Sequence, residues 1–355
     1  MHLATEEEHS QRLRAEVGEL IDADELSQSI AALVVAEPAD ETPVAGQPAA
    51  GQPAAEQSAA RREEDEPMLA AGDSVIVPAP YWPSYPEMVA LTGAKPVILE
   101  TKEDDGYLIT PEALRVVLKA NGNARLLILC NPSNPTGGVH TEARLRELAS
   151  VLGDFPKVAI LADEIYERLV YNDNPADGHV SFAAMPNMFH RTMTVNGFSK
   201  AYAMTGMRLG YLAAPARLAK ATTVIQSQLT SCAGSISQAA GVAALRDVPE
   251  TEMEANVQVM REKRDYVIGR LAKMDGVKLV VPPTGAFYVL PDVSSYYEGD
   301  DVALCLDLLK SQRLALVPGS SFGAPGTVRI SYATSTEELE LAMNKLEDFL
   351  GECSE

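Results

Sequence analysis

From about Met68 onward, short apolar runs alternate with polar turn clusters and with stretches whose apolar residues recur at helical spacing. Val75-Ile76-Val77, Leu126-Leu127-Ile128-Leu129, Val158-Ala159-Ile160-Leu161 and Met193-Thr194-Val195 leave little polar surface for solvent. Such runs predict strands covered on both faces of a mostly parallel sheet. A helical pattern around Arg144–Leu152 lies between two of them, as a crossover connection requires. Later, Met260, Val267, Leu271 and Met274 fall on one helical face, and Phe287-Tyr288-Val289-Leu290 predicts a strand. Ser335-Thr336-Glu337-Glu338 is a capping box, opening an amphipathic helix through Leu339, Met343, Leu346 and Leu350. The pattern is that of an α/β protein: a large domain over residues 68–246 with a mostly parallel central sheet, and a smaller C-terminal α+β domain over 247–355.

The first 67 residues differ in kind. Ala45-Gly46-Gln47-Pro48-Ala49 repeats at once as Ala50-Gly51-Gln52-Pro53-Ala54, then degenerates before Arg61-Arg62-Glu63-Glu64-Asp65-Glu66. A repeat of this composition buries too little apolar surface to offset its ordering entropy, so a disordered acidic tail and linker is expected, with a short acidic helix within 11–35. Sixteen Asp and Glu stand against four Arg in this stretch, and the whole 355-residue chain carries a net charge of −21. That balance argues against nucleic-acid and anionic-membrane partners, which demand a basic face. No apolar run approaches the roughly 20 residues needed to span a bilayer. The N-terminus has neither a secretory signal nor the Arg- and Ser-rich character of a transit peptide, so a cytoplasmic location is expected for the chain as written. Four scattered cysteines and five dispersed histidines show no metal-type spacing, which predicts a reducing compartment and no metal.

Ligands of open α/β sheets gather beyond the carboxyl ends of the strands. Three predicted strands run into polar clusters there: Asn131-Pro132-Ser133-Asn134-Pro135-Thr136-Gly137, then Asp163-Glu164-Ile165-Tyr166, then Asn196 through Ser199-Lys200. Taken singly, these are turn formers, a capping carboxylate and a solvated lysine. Together they suit pyridoxal phosphate. Lys200 is the amine that forms an imine with its aldehyde. Asp163 is the anion that keeps its pyridine nitrogen protonated. Tyr166 and Asn134 are donors for its phenolic oxygen. The lone tryptophan, Trp82, offers a stacking face, and Ser199 with Arg208 would bind the phosphate.

The same residues carry a family likeness. Ala79–Met88, the Asn-Pro-x-Asn-Pro-Thr-Gly run, Ala162–Glu167, Val195–Tyr211, Thr284–Tyr288 and Val328–Ala333 together resemble class I pyridoxal-phosphate aminotransferases, of fold-type I. The resemblance spans about Met68 to Leu350 and is greatest to prokaryotic-type aspartate aminotransferases, including plant and algal enzymes that also use prephenate. It implies ping-pong transamination between aspartate or glutamate and a 2-oxo acid, with Lys200 as imine-former and proton shuttle. It also implies that Arg329 grips the substrate α-carboxylate, with Asn134 and Trp82 beside it, in a homodimer. A plastid location follows from the resemblance if the true N-terminus lies upstream. Where relatives carry a Gly-Ala-Lys segment that opens a helix onto the phosphate, this chain has an acidic run, and Met207 stands where a Trp is usual. That departure keeps a second reading open: an impaired homologue with weak cofactor binding, acting as a non-catalytic interaction protein.

Overall fold

The computed structural model describes residues 69–171, 178–279 and 281–353. The predicted acidic tail, and the helix expected within 11–35, lie outside the described residues. Contacts divide the chain into two compact units: Pro67–Pro215 with Val248–Glu355 belong to one, and Ala216–Asp247 to the other.

The first unit opens with β1 (Ser74–Ala79), α1 (Ser84–Leu91), β2 (Lys95–Glu100), α2 (Pro111–Ala120), β3 (Ala124–Cys130) and α3 (Glu142–Gly153). Then come β4 (Ala159–Asp163), β5 (Thr192–Gly197) and β6 (Gly210–Ala213). The strands form one sheet in the order β2-β1-β3-β4-β5-β6, parallel throughout except at β5–β6. Ile76, Leu127, Leu129 and Ile160 are buried with Leu114 and Leu118 of α2 and Leu145, Leu148 and Leu152 of α3. Each of those side chains contributes about 1.5–3 kcal/mol by leaving water. Both helices start where the sequence supplies an oxygen for an otherwise orphaned N–H: Thr110 accepts from Ala113 and Thr141 from Arg144.

The register sets up the site. Cys130 of β3 lies opposite Asp163 of β4, and Asp163 lies opposite Val195 of β5. The three strands therefore reach their carboxyl ends nearly level, and their outgoing loops meet at one edge.

The second unit's described part is a helix pair, α4 (Ala216–Leu229) and α5 (Ser235–Asp247). The chain then returns to the first unit through α6 (Glu250–Leu271), β7 (Tyr288–Val289), α7 (Asp301–Gln312), β8 (Val317–Pro318), β9 (Val328–Ser331) and α8 (Thr336–Glu352). The three strands make a small antiparallel sheet in the order β7-β9-β8. Val267, Leu271, Leu304, Leu308, Leu339, Met343 and Leu346 form the apolar cluster here. Ser335 caps α8, its Oγ accepting from Glu338 N at 3.2 Å. Two elements differ from the pattern. The strand expected over 287–290 pairs at only two positions, because Ala286 has a left-handed φ of 54° and Pro291 has no N–H to continue the ladder. Met274 lies beyond the end of α6 yet stays buried.

Candidate active site

Three loops meet at the sheet's carboxyl edge. The Asn131–Gly138 loop leaves β3 and turns at Gly137, whose φ is +70°. A Cβ there would come within 2.4 Å of Pro283 and 2.8 Å of the Gly285 carbonyl, so only glycine permits this approach. The Gly137 carbonyl accepts from Thr284 N and Gly285 N at 2.9 and 2.8 Å. Two motifs about 150 residues apart in the chain are thereby stitched together, which brings β7 beside the loop.

Asp163 ends β4. Its Oδ1 accepts from Ile165 N at 3.2 Å, and its Oδ2 accepts from Tyr85 Oη at 2.5 Å. Burial raises the carboxyl's pKa, while the Tyr85 hydrogen bond and the Lys200 charge pull it down. The Tyr85 phenol, pushed well above its ordinary 10.0 chiefly by burial, stays protonated and donates. Trp82, in the turn just before α1, is 39% exposed and meets the Tyr85 ring edge-on at 5.4 Å. The sequence pattern picked out Trp82 and missed Tyr85.

Lys200 follows β5 in a turn, with its Nζ 5.8 Å from the Tyr166 ring centroid and 5.7 Å from that of Phe287. Burial, then the positive charges of Arg329 and Arg208, lower its pKa from 10.5. A desolvated amine among cations and aromatic faces is a better nucleophile near neutrality than a free lysine. Tyr166 is buried and shares a 2.9 Å hydrogen bond with Tyr288, a partner that the sequence pattern placed in a strand without a role.

Arg329, on β9, donates from Nη1 to Asn134 Oδ1 at 2.9 Å. Its guanidinium carbon lies 4.5 Å from the Tyr288 ring centroid and 4.8 Å from that of Phe322. Its Nε is buried without a hydrogen-bond partner among the described residues. A buried, aromatic-stacked guanidinium with an N–H to spare is a receptor for a carboxylate. Ser199 adjoins Lys200 in the same turn, and Arg208 follows the short 3₁₀ turn Thr205–Met207 in a left-handed conformation, φ 51°. Arg208 is exposed and donates to the Thr205 carbonyl at 3.1 Å.

Residues 3–346 match the family model for aminotransferase class I and II. The chain belongs to that family. It is 50% identical over 290 residues to an aspartate aminotransferase of Pinus pinaster, covering 79% of this chain and 58% of that protein. It is 46% identical over 290 residues to a bifunctional aspartate aminotransferase and glutamate/aspartate-prephenate aminotransferase of Petunia hybrida, covering 79% and 59%. The chain thus spans less than two thirds of either plant relative. Its fold matches a crystal structure of the Rhizobium meliloti aspartate aminotransferase with a TM-score of 0.74 at 38% identity, over 80% of this chain and 72% of that one. Among the described residues, no helix is long and apolar enough to cross a membrane. Family members use pyridoxal phosphate, and the donor set fits it: a lysine with a lowered pKa, a carboxylate at the strand end, and a guanidinium whose Nε–H has no partner among the described residues.

Proposed function

We propose that this chain is a pyridoxal-phosphate-dependent aminotransferase that moves an amino group between aspartate or glutamate and a 2-oxo acid. One observation carries the reading: the register brings Asp163 and the loop bearing Lys200 to the same sheet edge, where Lys200 Nζ lies 5.8 Å from the Tyr166 ring and Tyr166 pairs with Tyr288, on whose ring Arg329 stacks. When bound, the cofactor supplies an aldehyde carbon and an electron-withdrawing ring. The chain's own residues do the rest. Asp163, held by Tyr85, keeps a negative charge against the ring nitrogen. Tyr166, paired with Tyr288, would offer its hydroxyl to the phenolic oxygen, and Trp82 would cover the ring face. Ser199 and Arg208 receive the phosphate. Arg329 and Asn134 would orient the substrate α-carboxylate, and Lys200 Nζ would carry the proton between the substrate α-carbon and the cofactor's aldehyde-derived carbon. Oxaloacetate and 2-oxoglutarate are the expected acceptors, and the Petunia relative's name supports prephenate as another.

The test is a titration of purified chain with pyridoxal phosphate, followed by L-aspartate. A visible band that appears at one equivalent and shifts on adding the amino acid supports the proposal. A protein that develops no band is the non-catalytic homologue instead.

Tyr85→Phe tests the support of Asp163. Losing a hydrogen bond to a charged group costs about 1.5–3 kcal/mol, so cofactor affinity should fall roughly 10- to 100-fold. The sign of the pH effect follows from the removed donor. Tyr85 lowers the Asp163 pKa, so without it that pKa rises further, and the acid limb of cofactor binding moves to higher pH. Unchanged affinity and an unmoved acid limb would show that Asp163 does not depend on Tyr85.

A further inference from the structure

On the stretch that follows Asp163, the fold brings His179 beside two glutamates three residues apart, Glu164 and Glu167. Glu164, Glu167 and His179 each place one ligand atom within 4.8 Å of the others. The five histidines are too dispersed along the sequence to suggest such a cluster. We propose that these three side chains bind a first-row divalent cation with affinity for imidazole, of which Zn²⁺ is the representative.

Glu164 is the fixed arm. Its side chain is 3% exposed. Its Oε1 accepts from Ser181 Oγ and Phe182 N, both at 3.0 Å, which locks the carboxylate and leaves Oε2 turned toward His179. Second-sphere donors of this kind are what hold metal-binding carboxylates in place.

His179 carries the argument. Its side chain is 9% exposed, and Nε2 stands 3.2 Å from Glu164 Oε2. That approach lacks hydrogen-bond alignment, and neither ring nitrogen has a hydrogen-bond partner among the described residues. A buried imidazole with both nitrogens unpaired is costly. A ring nitrogen and a carboxylate oxygen 3.2 Å apart, without hydrogen-bond alignment, can converge on a cation to one side of the line that joins them. With arms of about 2.1 Å, that separation corresponds to an angle of about 100° at the ion, close to tetrahedral.

Glu167 is the movable arm. A tetrahedron of such arms spans about 3.4 Å, so its carboxylate closes by no more than about 1.4 Å, within reach of a side-chain rotation. It also lines, with His179, a cavity of about 590 Å³ that extends past Glu250 and Glu254. The cavity gives the ion an entry path and room for a water at the fourth position. One imidazole and two carboxylates suit zinc or manganese better than calcium, which prefers six or more oxygens.

The experiment uses untagged full chain, freed of metal with a chelator and then dialysed against Zn²⁺, with bound metal counted by mass spectrometry. One Zn²⁺ per chain is expected, with or without added cofactor. His179→Ala and Glu167→Gln should each weaken binding by at least about 100-fold, since a lost ligand costs more than a lost outer-sphere partner. Circular dichroism checks that both variants are folded, and Co²⁺ in place of zinc should give a visible d–d spectrum in the parent chain alone. Fewer than about 0.1 Zn²⁺ per chain, or parent-like affinity in either variant, overturns the proposal. The readout involves no transamination, so it stands or falls apart from the proposed activity.

Discussion

Lys200→Ala should abolish transamination and the visible band of the bound cofactor while leaving the protein folded. Lys200 Nζ lies near the Tyr166 and Phe287 rings and within the charge influence of Asp163 and Arg329. The proposed chemistry asks it to act both as nucleophile and as proton carrier. A positioned general acid–base group alone contributes about 10²- to 10⁴-fold, so a loss of at least about 10⁴-fold is expected for the pair of roles. Stability should move the other way. Burial and the charges of Arg329 and Arg208 disfavour the ammonium, so removing it relieves repulsion inside the site. The thermal midpoint should hold or rise as activity disappears. A Lys200→Ala protein with near-normal turnover would sink the assignment. One with a sharply lowered midpoint would show that the amine holds the fold together.

Part of this was legible in the chain because the central strands β1 and β3 are buried on both faces. Continuous apolar runs such as Leu126–Leu129 admit few other readings, and a polar residue at the end of such a run stands out. Asp163, Asn134 and Lys200 were visible for that reason. The edge strands β2 and β6 carry a mixed pattern, Lys95-Pro96 in one and Gly210 in the other, and periodicity did not reveal them. Tyr85 was hidden because its importance lies in one hydrogen bond across 78 residues, which no local pattern records. Arg329 is similar: a single cation on a short strand means little until Asn134, Tyr288 and Phe322 surround it. His179 shows the same limit from the other direction, since spacing along the chain gave no hint of the two glutamates it meets.

Arg329→Lys should raise KM for the amino acid and for the 2-oxo acid together, by roughly 100-fold, because both share the α-carboxylate. The site is shaped for a plane. The guanidinium donates to Asn134 at 2.9 Å, lies over the Tyr288 and Phe322 rings, and keeps a buried Nε–H without a partner among the described residues. Such a group can present parallel N–H bonds to a carboxylate while stacked, whereas an ammonium is a compact, strongly hydrated charge with no fork and no face. Burial already lowers the pKa of Arg329 from 12.5. A guanidinium tolerates that displacement and stays charged near neutrality. An amine in the same place starts lower and lies near Lys200, so part of its charge would be lost as well. Removing one partner of a buried charge pair costs about 2–5 kcal/mol, and about 3 kcal/mol corresponds to the roughly 100-fold expected. Asn134→Ala removes one hydrogen bond to the same guanidinium and should cost less, in the same direction. If Arg329→Lys lowers kcat and leaves both KM values unchanged, Arg329 acts on the reacting bond and some other cation holds the carboxylate.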